Sequence, residues 1–438
     1  MTQSKIRFLV HPGRPLRGVF RVPGDKSISH RSVMLGAIAE GVTQISGFLE
    51  GDDCVATIEA LRAMGVTIEG PRDGRVVVHG VGKRGLKAPD APIYLGNSGT
   101  SMRLLAGLLS GQQFDVVLTG DGSLTSRPMR RVTQPLIRMG AHIETAGGGT
   151  PPLTIKASGG LRGIDYDMPV ASAQVKSCLL LAGLYASGRT CVREPAPTRD
   201  HTERMLNGFG CPVERQGDRV CVAADAQLTA ASVDVPADIS SAAFFLVGAS
   251  IREGSELLLE HVGINPTRTG VIEILKRMGA NIEVINETTV GGEPVADIRV
   301  SASRLRGIDI PESLVPLAID EFPAIFIAAA CAKGRTVLRG AEELRVKESD
   351  RILVMAQGLQ ACGIKATPTA DGIVIEGGQI RGATVHSRGD HRIAMAFSMA
   401  GLRAEAAIEI EDCDNVNTSF PGFSKMAENA GLGIVVRQ

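Results

Sequence analysis

Apolar and polar positions along this chain form a pattern that recurs six times. Each copy predicts an amphipathic helix, with apolar residues three and four positions apart, that ends at a glycine and is followed by a strand. The copies lie at 58–70, 133–145, 203–215, 271–284, 356–367 and 426–436. The glycines expected to end these helices are Gly65, Gly140, Gly210, Gly279, Gly363 and Gly431, at intervals of 68 to 84 residues. This regular interval predicts a chain built from six repeats.

A second kind of helix is predicted ahead of each amphipathic one. These segments are apolar on nearly every face and rich in Ala, Gly and Leu, so we expect them to be buried with other helices close against them. Their starts lie near Lys26, Gly99, Ser172, Asp238, Asp320 and Asp390. Strand-like runs follow at 42–48, 114–120, 190–195, 255–262, 336–341 and 406–412. The order of strand, buried helix, strand, surface helix and further strand predicts a mixed α/β protein with three repeats in each of two domains.

Two similar short sequence motifs suggest where the domain boundaries lie in the sequence. VPGD at 22–25 opens the first buried helix, and VPAD at 235–238 opens the fourth. Because these phrases bracket three repeats, we expect one domain over 24–237 and a second made of 1–23 plus 238–438, with a single N-terminal strand over 6–22 joining the second. Two crossings of the chain between the domains form a hinge. The alternative is that the Val-Pro pairs are ordinary turns.

Composition excludes several classes of protein. The 438 residues are too many for one hydrophobic core, and 47 Lys and Arg balance 47 Asp and Glu, so no general attraction to nucleic acid or anionic membranes is expected. Aromatic residues are only 3% of the chain, which argues against base-stacking surfaces. The longest apolar runs are shorter than the roughly 18 residues of a membrane span, and the first residues lack the pattern of a secretion signal. We therefore expect a cytoplasmic protein with neither membrane nor nucleic-acid partners.

Cysteines and histidines indicate no metal site. The eight cysteines show no Cys-x-x-Cys pair and lie mostly in or beside apolar segments, so we expect buried, reduced thiols. The eight histidines are scattered, no carboxylate cluster has ligand spacing, and the GDKS phrase does not complete a Walker loop. We expect neither a metal nor a cofactor.

Polar residues gather at the predicted starts of the buried helices. If the three helices of a domain run alike, their N-termini converge, and their free N–H groups and dipoles favour anions. Ser, Thr, Asp and Asn at helix starts are also ordinary caps, and capping alone is the preferred interpretation for Thr100, Asp238, Ser240 and Ser241. Cations oppose the helix dipole at such positions, so a bound anion is the better explanation for Lys26, Arg103 and Arg392. A solvated surface is an equal alternative for Arg130 and Arg131.

Five longer motifs make the chain resemble one enzyme family from end to end. They are PGDKSISHR at 23–31, LGNSGTSMR at 95–103, DGSLTSRPM at 121–129, RVKESDR at 345–351 and GDHRIAMA at 389–396. On these motifs the chain resembles the 5-enolpyruvylshikimate-3-phosphate synthases, a family of enolpyruvyl transferases. The resemblance implies a two-domain inside-out α/β barrel. In that fold each domain has three βαβαββ repeats with buried parallel helices, and the active site lies in the interdomain cleft.

The resemblance also implies the reaction. Members of the family transfer the enolpyruvyl group of phosphoenolpyruvate to the 5-hydroxyl of shikimate 3-phosphate by addition and elimination. The reaction releases phosphate and belongs to the shikimate pathway to aromatic amino acids. These two small molecules are the expected partners of the chain.

Roles for individual residues follow from the matching motifs. For shikimate 3-phosphate, the resemblance implies contacts with Lys26, Ser27, Arg31, Ser172, Ala173, Gln174, Arg199, Asp320 and Lys347. For phosphoenolpyruvate, it implies contacts with Lys26, Gly99, Arg127, Gln174, Glu348, Arg351 and Arg392. Asp320 is implied to take the proton of the 5-hydroxyl, while Lys26 or Glu348 protonates the methylene carbon. Arginines suit these substrates because their forked donors can grip a carboxylate or a phosphate.

Some positions depart from the family pattern, and two other interpretations stay open. Thr418 stands where many members have a lysine, Glu343 where an asparagine is common, and PTRDH at 197–201 replaces a Ser-Lys-Pro-Tyr version. The sister enzyme that acts on UDP-N-acetylglucosamine is one alternative, although 111–131 lacks the cysteine which that enzyme uses as its acid. A non-catalytic scaffold for anions is the other, although mere anion binding does not explain carboxylates among cations. A monomer is expected, because closure of the hinge needs two free domains.

Overall fold

The computed structural model describes residues 6–224 and 226–438, in which helices alternate with short strands. The thirteen α-helices in this part of the chain are α1 (Lys26–Ile38), α2 (Asp52–Ala63), α3 (Gly99–Leu109), α4 (Gly122–Thr125), α5 (Arg130–Arg138), α6 (Ala173–Gly183), α7 (His201–Gly208), α8 (Ile239–Ile251), α9 (Gly270–Arg277), α10 (Phe322–Cys331), α11 (Arg351–Ala361), α12 (His391–Ala400) and α13 (Phe423–Ala430). Short 3-10 helices lie at Glu312–Leu314, Glu342–Val346, Gly401–Arg403 and Asp414–Thr418.

The strands of the described residues are mostly three to seven residues long. They are β1 (Arg7–His11), β2 (Arg17–Phe20), β3 (Glu40–Ser46), β4 (Thr67–Arg72), β5 (Arg75–Val81), β6 (Ile93–Tyr94), β7 (Val116–Thr119), β8 (His142–Ala146), β9 (Thr150–Lys156), β10 (Leu161–Arg162), β11 (Asp165–Asp167), β12 (Ala186–Ser187), β13 (Arg189–Arg193), β14 (Glu214–Gln216), β15 (Arg219–Ala223), β16 (Ser232–Asp234), β17 (Glu256–Gly263), β18 (Asn281–Val290), β19 (Glu293–Ser301), β20 (Arg335–Leu338), β21 (Lys365–Pro368), β22 (Ile373–Glu376), β23 (Thr384–His386), β24 (Ile408–Glu411) and β25 (Gly433–Arg437).

The six predicted buried helices are confirmed as α1, α3, α6, α8, α10 and α12. All thirteen residues of α8, for example, are buried. Five of the six begin after a residue whose side chain accepts a backbone N–H of the first turn, namely Asp25, Ser98, Ser172, Asp238 and Asp390. The sixth, α10, begins ahead of Pro323, whose missing N–H is not needed in a first turn. None of the helices in the described residues is long and apolar enough to cross a membrane.

The six predicted surface helices are confirmed as α2, α5, α7, α9, α11 and α13. Each of them is followed by the expected glycine, and all six glycines have a positive φ, between 81° and 117°. A residue with a Cβ is disfavoured in this left-handed region, which is why glycine ends each helix and lets the chain turn into the next strand.

Six sheets follow one plan. Their strand orders are β16-β3-β5-β4, β6-β7-β9-β8, β11-β13-β15-β14, β2-β17-β19-β18, β20-β22-β21 and β23-β24-β1-β25. In five sheets the first strand pairs in parallel with the strand that follows the buried helix. An isolated parallel bridge between Asp309 and Val337 takes this place in the three-stranded sheet. The common plan confirms the six-repeat α/β fold that the sequence predicts.

Three sheets are completed by strands that are distant in the sequence. β16 pairs with β3, β2 pairs with β17, and β1 lies between β24 and β25. The expectation of a single N-terminal strand over 6–22 is therefore wrong, because this segment forms two strands in two different sheets. Pro12 and Pro15, which lack an N–H for pairing, separate the two strands.

Contacts divide the described chain into two compact units. The split unit takes the residues up to Pro23, Pro236–Thr288 and Pro294–Gln438, and the inserted unit takes Gly24–Val235 with Thr289–Glu293. Each unit has its own hydrophobic core. In the split unit α8, α10 and α12 contact one another, and in the inserted unit α3 contacts both α1 and α6.

The cysteines differ in part from expectation. Cys191 on β13 and Cys221 on β15 stand opposite each other in the antiparallel register and form a disulfide, so the expectation of eight reduced thiols is wrong for this pair. The other six cysteines are free, and five of these are buried, while Cys331 is partly exposed. The pairing depends on strand register, which the scattered spacing of the cysteines does not reveal.

The contact between α3 and α6 requires a glycine. A Cβ at Gly107 would lie 2.1 Å from the carbonyl oxygen of Cys178, far inside van der Waals contact, and the obstacle is backbone rather than a movable side chain. The two helices can therefore approach this closely only because position 107 has no side chain.

We expect Gly107→Ala to destabilise the protein by about 2 kcal/mol or more, because α3 and α6 must separate to accept the methyl group. The matched control is Gly208→Ala at the end of α7, where a Cβ would meet nothing within 4 Å. That change should be neutral or slightly stabilising. Urea unfolding of both variants measures the difference, and equal stabilities of the two variants would contradict the packing argument.

Candidate active site

The first functional motif lies at the start of α1. Asp25 caps this helix by accepting the N–H of Ile28 at 2.9 Å, which places Lys26 and Ser27 in the first turn. The ammonium group of Lys26 forms an ion pair with Asp53 on α2. Sequence reasoning missed Asp53, because an aspartate in the first turn of a helix is typical of ordinary helix starts.

Arg31 lies one turn further along α1 and is buried. Its Nε donates to Oγ1 of Thr202 at 2.7 Å, its Nη2 to Oγ of Ser177 at 2.8 Å and its Nη1 to the carbonyl oxygen of Ser27 at 2.9 Å. Burial lowers the pKa of Arg31 to about 10, although nearby carboxylates, Glu203 foremost, act in the opposite direction. The guanidinium therefore stays charged at neutral pH.

A second group of predicted residues lies at the start of α3. A Cβ at Gly99 would lie 3.0 Å from Nη1 of Arg103 and 3.1 Å from Nη1 of Arg127. Arg103 donates to Oε1 of Gln174 at 2.6 Å. The missing side chain at position 99 thus leaves space beside two cations and a helix N-terminus, a combination that favours a small anion.

Arg127 is oriented by side chains that follow β6 and β7. Its Nη2 donates to Oδ1 of Asn97 at 2.6 Å and to Oγ of Ser123 at 3.2 Å. Nδ2 of Asn97 in turn donates to Oδ2 of Asp121 at 2.8 Å. The sequence marks Asn97 as part of a polar helix start, but not as the partner of Arg127.

The start of α6 is joined to the start of α3. Ser172 caps α6, Ala173 is its first residue, and Nε2 of Gln174 donates to Oγ1 of Thr100 at 3.0 Å. Arg199 lies in the loop before α7, where its positive charge adds to the effect of burial on the pKa of Arg31. In the inserted unit, therefore, Gly99, Arg127 and Gln174 come together, and so do Ser27 and Arg31.

Arg351, the first residue of α11, is the centre of the predicted residues in the split unit. Its side chain is 1% exposed, with Nε 2.8 Å from Oδ2 of Asp390, Nη1 3.3 Å from Oδ1 of Asp320 and Nη2 2.6 Å from Oε2 of Glu348. Burial acts to lower the pKa of Arg351, but the three carboxylates outweigh this effect and raise the pKa above its ordinary value. The guanidinium is fixed as a cation among three anions.

Two further cations lie against Asp320. Nζ of Lys347 is 3.3 Å from its Oδ1, and Nη1 of Arg392 donates to its carbonyl oxygen at 3.1 Å. The backbone N–H of Arg392 donates to Oδ1 of Asp390 at 3.0 Å. One network thus contains every predicted residue of the split unit, namely Asp320, Lys347, Glu348, Arg351 and Arg392, and Asp390 completes it.

Sequence reasoning missed a second arginine cluster in the split unit. Arg268, in the loop before α9, is 3.0 Å from Oδ1 of Asp238 and 2.8 Å from Oγ of Ser240. Ser240 donates to Glu321, which also lies 3.8 Å from Arg268. All four side chains are buried. Ser240 is therefore more than the cap that the sequence suggests, because its hydroxyl joins two repeats.

The two arginine clusters are equivalent by repeat. Each arginine lies just before or at the start of a surface helix. Each contacts the start of the buried helix of its own repeat and the residue that precedes the buried helix of the next. For Arg268 these are Asp238 and Glu321, and for Arg351 they are Asp320 and Asp390. Alignment of the repeats against one another is the signal that could have identified Arg268.

The inserted unit buries a lysine as well. Lys176 on α6 is fully buried, with Nζ 2.8 Å from Oε1 of Glu194 and 2.6 Å from Oε1 of Glu203. Nη2 of Arg215 lies 3.2 Å from the other oxygen of Glu194. This group was not predicted, because a single lysine in an apolar helix gives no indication of where its partners lie.

Among residues 6–224 and 226–438, no group of three or more His, Cys, Asp and Glu side chains is arranged to hold a metal ion. Oγ1 of Thr418 donates to the carbonyl oxygen of Asn415 at 2.7 Å. The threonine hydroxyl thus bonds within its own 3-10 helix.

A buried histidine connects the starts of α1 and α3. Nδ1 of His30 lies 2.8 Å from Oγ1 of Thr57, which lies 2.6 Å from Oγ of Ser101, and that oxygen lies 2.7 Å from Oγ of the cap residue Ser98. Burial, aided by the positive charge of Lys26, lowers the pKa of His30 well below its usual value. The imidazole is therefore a neutral member of a hydrogen-bonded chain.

Three comparisons place the chain among known proteins. A family model described as EPSP synthase (3-phosphoshikimate 1-carboxyvinyltransferase) matches residues 10–426. The 3-phosphoshikimate 1-carboxyvinyltransferase of Nitrosococcus oceani is 68% identical over 99% of this chain and 98% of its own length, and that of Methylococcus capsulatus is 66% identical over 100% of both chains. The solved EPSP synthase of Acinetobacter baumannii has a TM-score of 0.89 and 59% identity, covering 99% of this chain and 100% of that one.

We expect His30 to make the protein less stable in acid. Because the unfolded chain binds a proton near pH 6.5 and the folded chain does not, stability is complete above that pH and falls below it, by up to about 1.4 kcal/mol for each pH unit. A His30→Gln variant cannot titrate and should lose this part of the pH dependence. Urea unfolding at pH 5 and pH 7.5 measures the change, with His142→Gln at an exposed position of β8 as the control. Identical pH dependence in the wild type and His30→Gln would contradict the expectation.

Proposed function

We infer the function of this chain from its family: the chain belongs to the EPSP synthase (3-phosphoshikimate 1-carboxyvinyltransferase) family. We propose that it transfers the enolpyruvyl group of phosphoenolpyruvate to the 5-hydroxyl of shikimate 3-phosphate and releases phosphate. The observation that carries this proposal is the network around Arg351. Asp320 and Glu348, both partly exposed, lie there beside a buried guanidinium. A buried guanidinium needs bonded partners, and the fully buried Asp390 already supplies two contacts to Arg351. Asp320 and Glu348 remain partly accessible, so they can also take or give a proton, as a proton-transfer enzyme requires.

Phosphoenolpyruvate is proposed to bind beside the start of α3. Gly99 leaves room there for a small anion beside Nη1 of Arg103 and Nη1 of Arg127, and Gln174 accepts a hydrogen bond from Arg103. The helix N-terminus adds unpaired N–H groups and a favourable dipole. The other proposed contacts of this substrate are Lys26, Glu348, Arg351 and Arg392.

Shikimate 3-phosphate is proposed to bind at the starts of α1 and α6. Arg31 and Lys26 supply positive charge for its phosphate and its carboxylate, and the start of α6 supplies N–H donors. The proposed contacts are Lys26, Ser27, Arg31, Ser172, Ala173, Gln174 and Arg199, with Asp320 and Lys347 from the split unit. The expected domain limits, the interdomain active site, the monomeric state and the cytoplasmic location stay predictions.

The proposed chemistry assigns proton transfers to three side chains. Asp320 takes the proton of the 5-hydroxyl, whose oxygen attacks C2 of phosphoenolpyruvate while Lys26 or Glu348 protonates the C3 methylene group. In the elimination, the group that protonated C3, now in its basic form, takes one proton back from the methyl group. The C–O bond to phosphate breaks, the double bond is restored, and the proton held by Asp320 leaves with the phosphate. Lys347 and Arg351, each 3.3 Å from Oδ1 of Asp320, hold its carboxylate in one orientation, and position supplies much of the rate.

Phosphorus NMR of the purified protein with shikimate 3-phosphate and phosphoenolpyruvate tests the reaction. We expect free phosphate and a new phosphate ester resonance. A parallel tube contains UDP-N-acetylglucosamine in place of shikimate 3-phosphate. Phosphate release in the second tube alone would assign the chain to the sister reaction, and no release in either tube would leave a binding protein.

Asp320→Asn tests the proposed base. The amide has the same shape but cannot take a proton, so kcat should fall by about 10²- to 10⁴-fold while both substrates still bind. The control is Asp309→Asn, an exposed aspartate of the same unit paired with Arg339, which should keep full activity. Normal binding with full turnover in Asp320→Asn would remove this residue from the mechanism.

A further inference from the structure

Arg31 differs from Arg351, Arg268 and Lys176 in the chemistry of its partners. Arg351, Arg268 and Lys176 each lie against two or more carboxylates. The three hydrogen bonds of Arg31 all go to uncharged oxygens, namely two hydroxyls and one backbone carbonyl. A buried guanidinium without a directly bonded carboxylate needs an explanation, because burial of an unpaired charge is unfavourable.

The two hydroxyls occupy the place that a carboxylate usually takes. Nε and Nη2 form one edge of the guanidinium fork, the edge that can grip both oxygens of a carboxylate. Here Oγ1 of Thr202 meets Nε at 2.7 Å and Oγ of Ser177 meets Nη2 at 2.8 Å. The two hydroxyls are joined by a hydrogen bond of 2.7 Å from Thr202 to Ser177. The pair therefore has the geometry of a bidentate partner but carries no charge.

The two carboxylates that act most strongly on the charge of Arg31 have other partners. Glu203 lies 2.6 Å from Nζ of Lys176, and Asp25 accepts the N–H that begins α1. These carboxylates influence Arg31 through space, and the net effect of its surroundings is a pKa lowered by burial. The positive charge of Arg31 is thus held in place without being cancelled by a direct ion pair.

The guanidinium of Arg31 keeps two N–H groups that can bind a ligand. A guanidinium has five N–H groups, and three of those of Arg31 are used by Thr202, Ser177 and the carbonyl of Ser27. One N–H on Nη1 and one on Nη2 remain. These two donors are suited to a phosphate or a carboxylate, which prefers forked donors of this kind.

We propose that Ser177 and Thr202 are positioning residues that orient Arg31 for shikimate 3-phosphate while leaving its positive charge to the substrate. This inference rests on the proposed function, because it requires Arg31 to bind that substrate. Ser177 and Thr202 lie on α6 and α7, so the pair also ties the orientation of Arg31 to the helix whose start carries Ser172, Ala173 and Gln174.

The inference predicts different effects for three substitutions of Thr202. Thr202→Val keeps the shape but removes the hydroxyl, so Nε loses its acceptor and shikimate 3-phosphate should bind roughly tenfold more weakly. Thr202→Ser keeps the hydroxyl and should stay within about twofold of the wild type. Thr202→Asp puts a negative charge on the same edge of the fork, so its loss of affinity should exceed that of Thr202→Val.

Calorimetric titration of each variant with shikimate 3-phosphate alone measures binding without turnover. Steady-state kinetics should then show a raised KM for shikimate 3-phosphate, with KM for phosphoenolpyruvate and kcat close to the wild-type values. Ser177→Ala, a smaller change, should act in the same direction as Thr202→Val. The matched control is Thr190→Val on β13 of the same unit, a buried threonine whose hydroxyl has no hydrogen-bond partner in the described chain.

The possible outcomes distinguish the positioning role of Ser177 and Thr202 from the proposed function of the protein. If the unmodified enzyme turns over and both Thr202→Val and Ser177→Ala bind shikimate 3-phosphate as tightly as it does, the positioning role is overturned and the proposed function stays intact. Equal losses in Thr202→Val and Thr202→Ser would also overturn it, because packing rather than the hydroxyl would then matter. Failure of the wild-type protein to bind shikimate 3-phosphate would overturn the proposed function together with this inference.

Discussion

A buried guanidinium must have its N–H groups bonded, and in the split unit carboxylates meet this constraint at Arg351. Leaving a buried charge without a partner typically costs about 3–5 kcal/mol, and Arg351 is paired with the fully buried Asp390 as well as with Asp320 and Glu348. They come from three places in the chain: the start of α12, the approach to α10 and the turn before α11. The position of the proposed base is therefore set by the same ion pairs that hold these elements together. The preceding repeat has an equivalent cluster around Arg268. There Glu321, the residue next to Asp320, lies near Arg268 and accepts a hydrogen bond from Ser240.

Arg351 in the split unit and Arg31 in the inserted unit are both buried, but they have different kinds of partner. The charge of Arg351 is balanced by carboxylates, whereas Arg31 is held by hydroxyls that leave its charge free to act on a ligand. A carboxylate network suits proton transfer, and an uncancelled cation suits the binding of a phosphate. The repeats share one backbone plan, and the functional difference between the units arises from the side chains at the starts of a few helices.

Local pattern was sufficient to predict the repeats, the two kinds of helix and the glycines that end six of them, because periodicity and backbone conformation depend on near neighbours. The family motifs pointed to the residues now seen around Arg351 and Gly99. The partners that hold them could not be predicted in this way. The ion pair of Lys26 with Asp53, the hydroxyls around Arg31 and the disulfide between Cys191 and Cys221 all join residues far apart in the sequence, so they depend on packing and register. The two N-terminal strands were mistaken for one because their separate sheets are completed by distant strands.

The pairing of β1 with β24 and β25 determines when each unit can be finished during synthesis. Phe8 lies opposite Ile410 and Val436, so β1 has no native partner in its sheet until β24 and β25 have been synthesised. The strands of the inserted unit, from β3 to β16, have all been made by Asp234. Its sheets can form while the split unit still lacks most of its strands, and domains generally fold as units in the order of synthesis. The split unit is therefore the last of the two to be completed, and until then β1 is an unpaired strand that could pair with other strands.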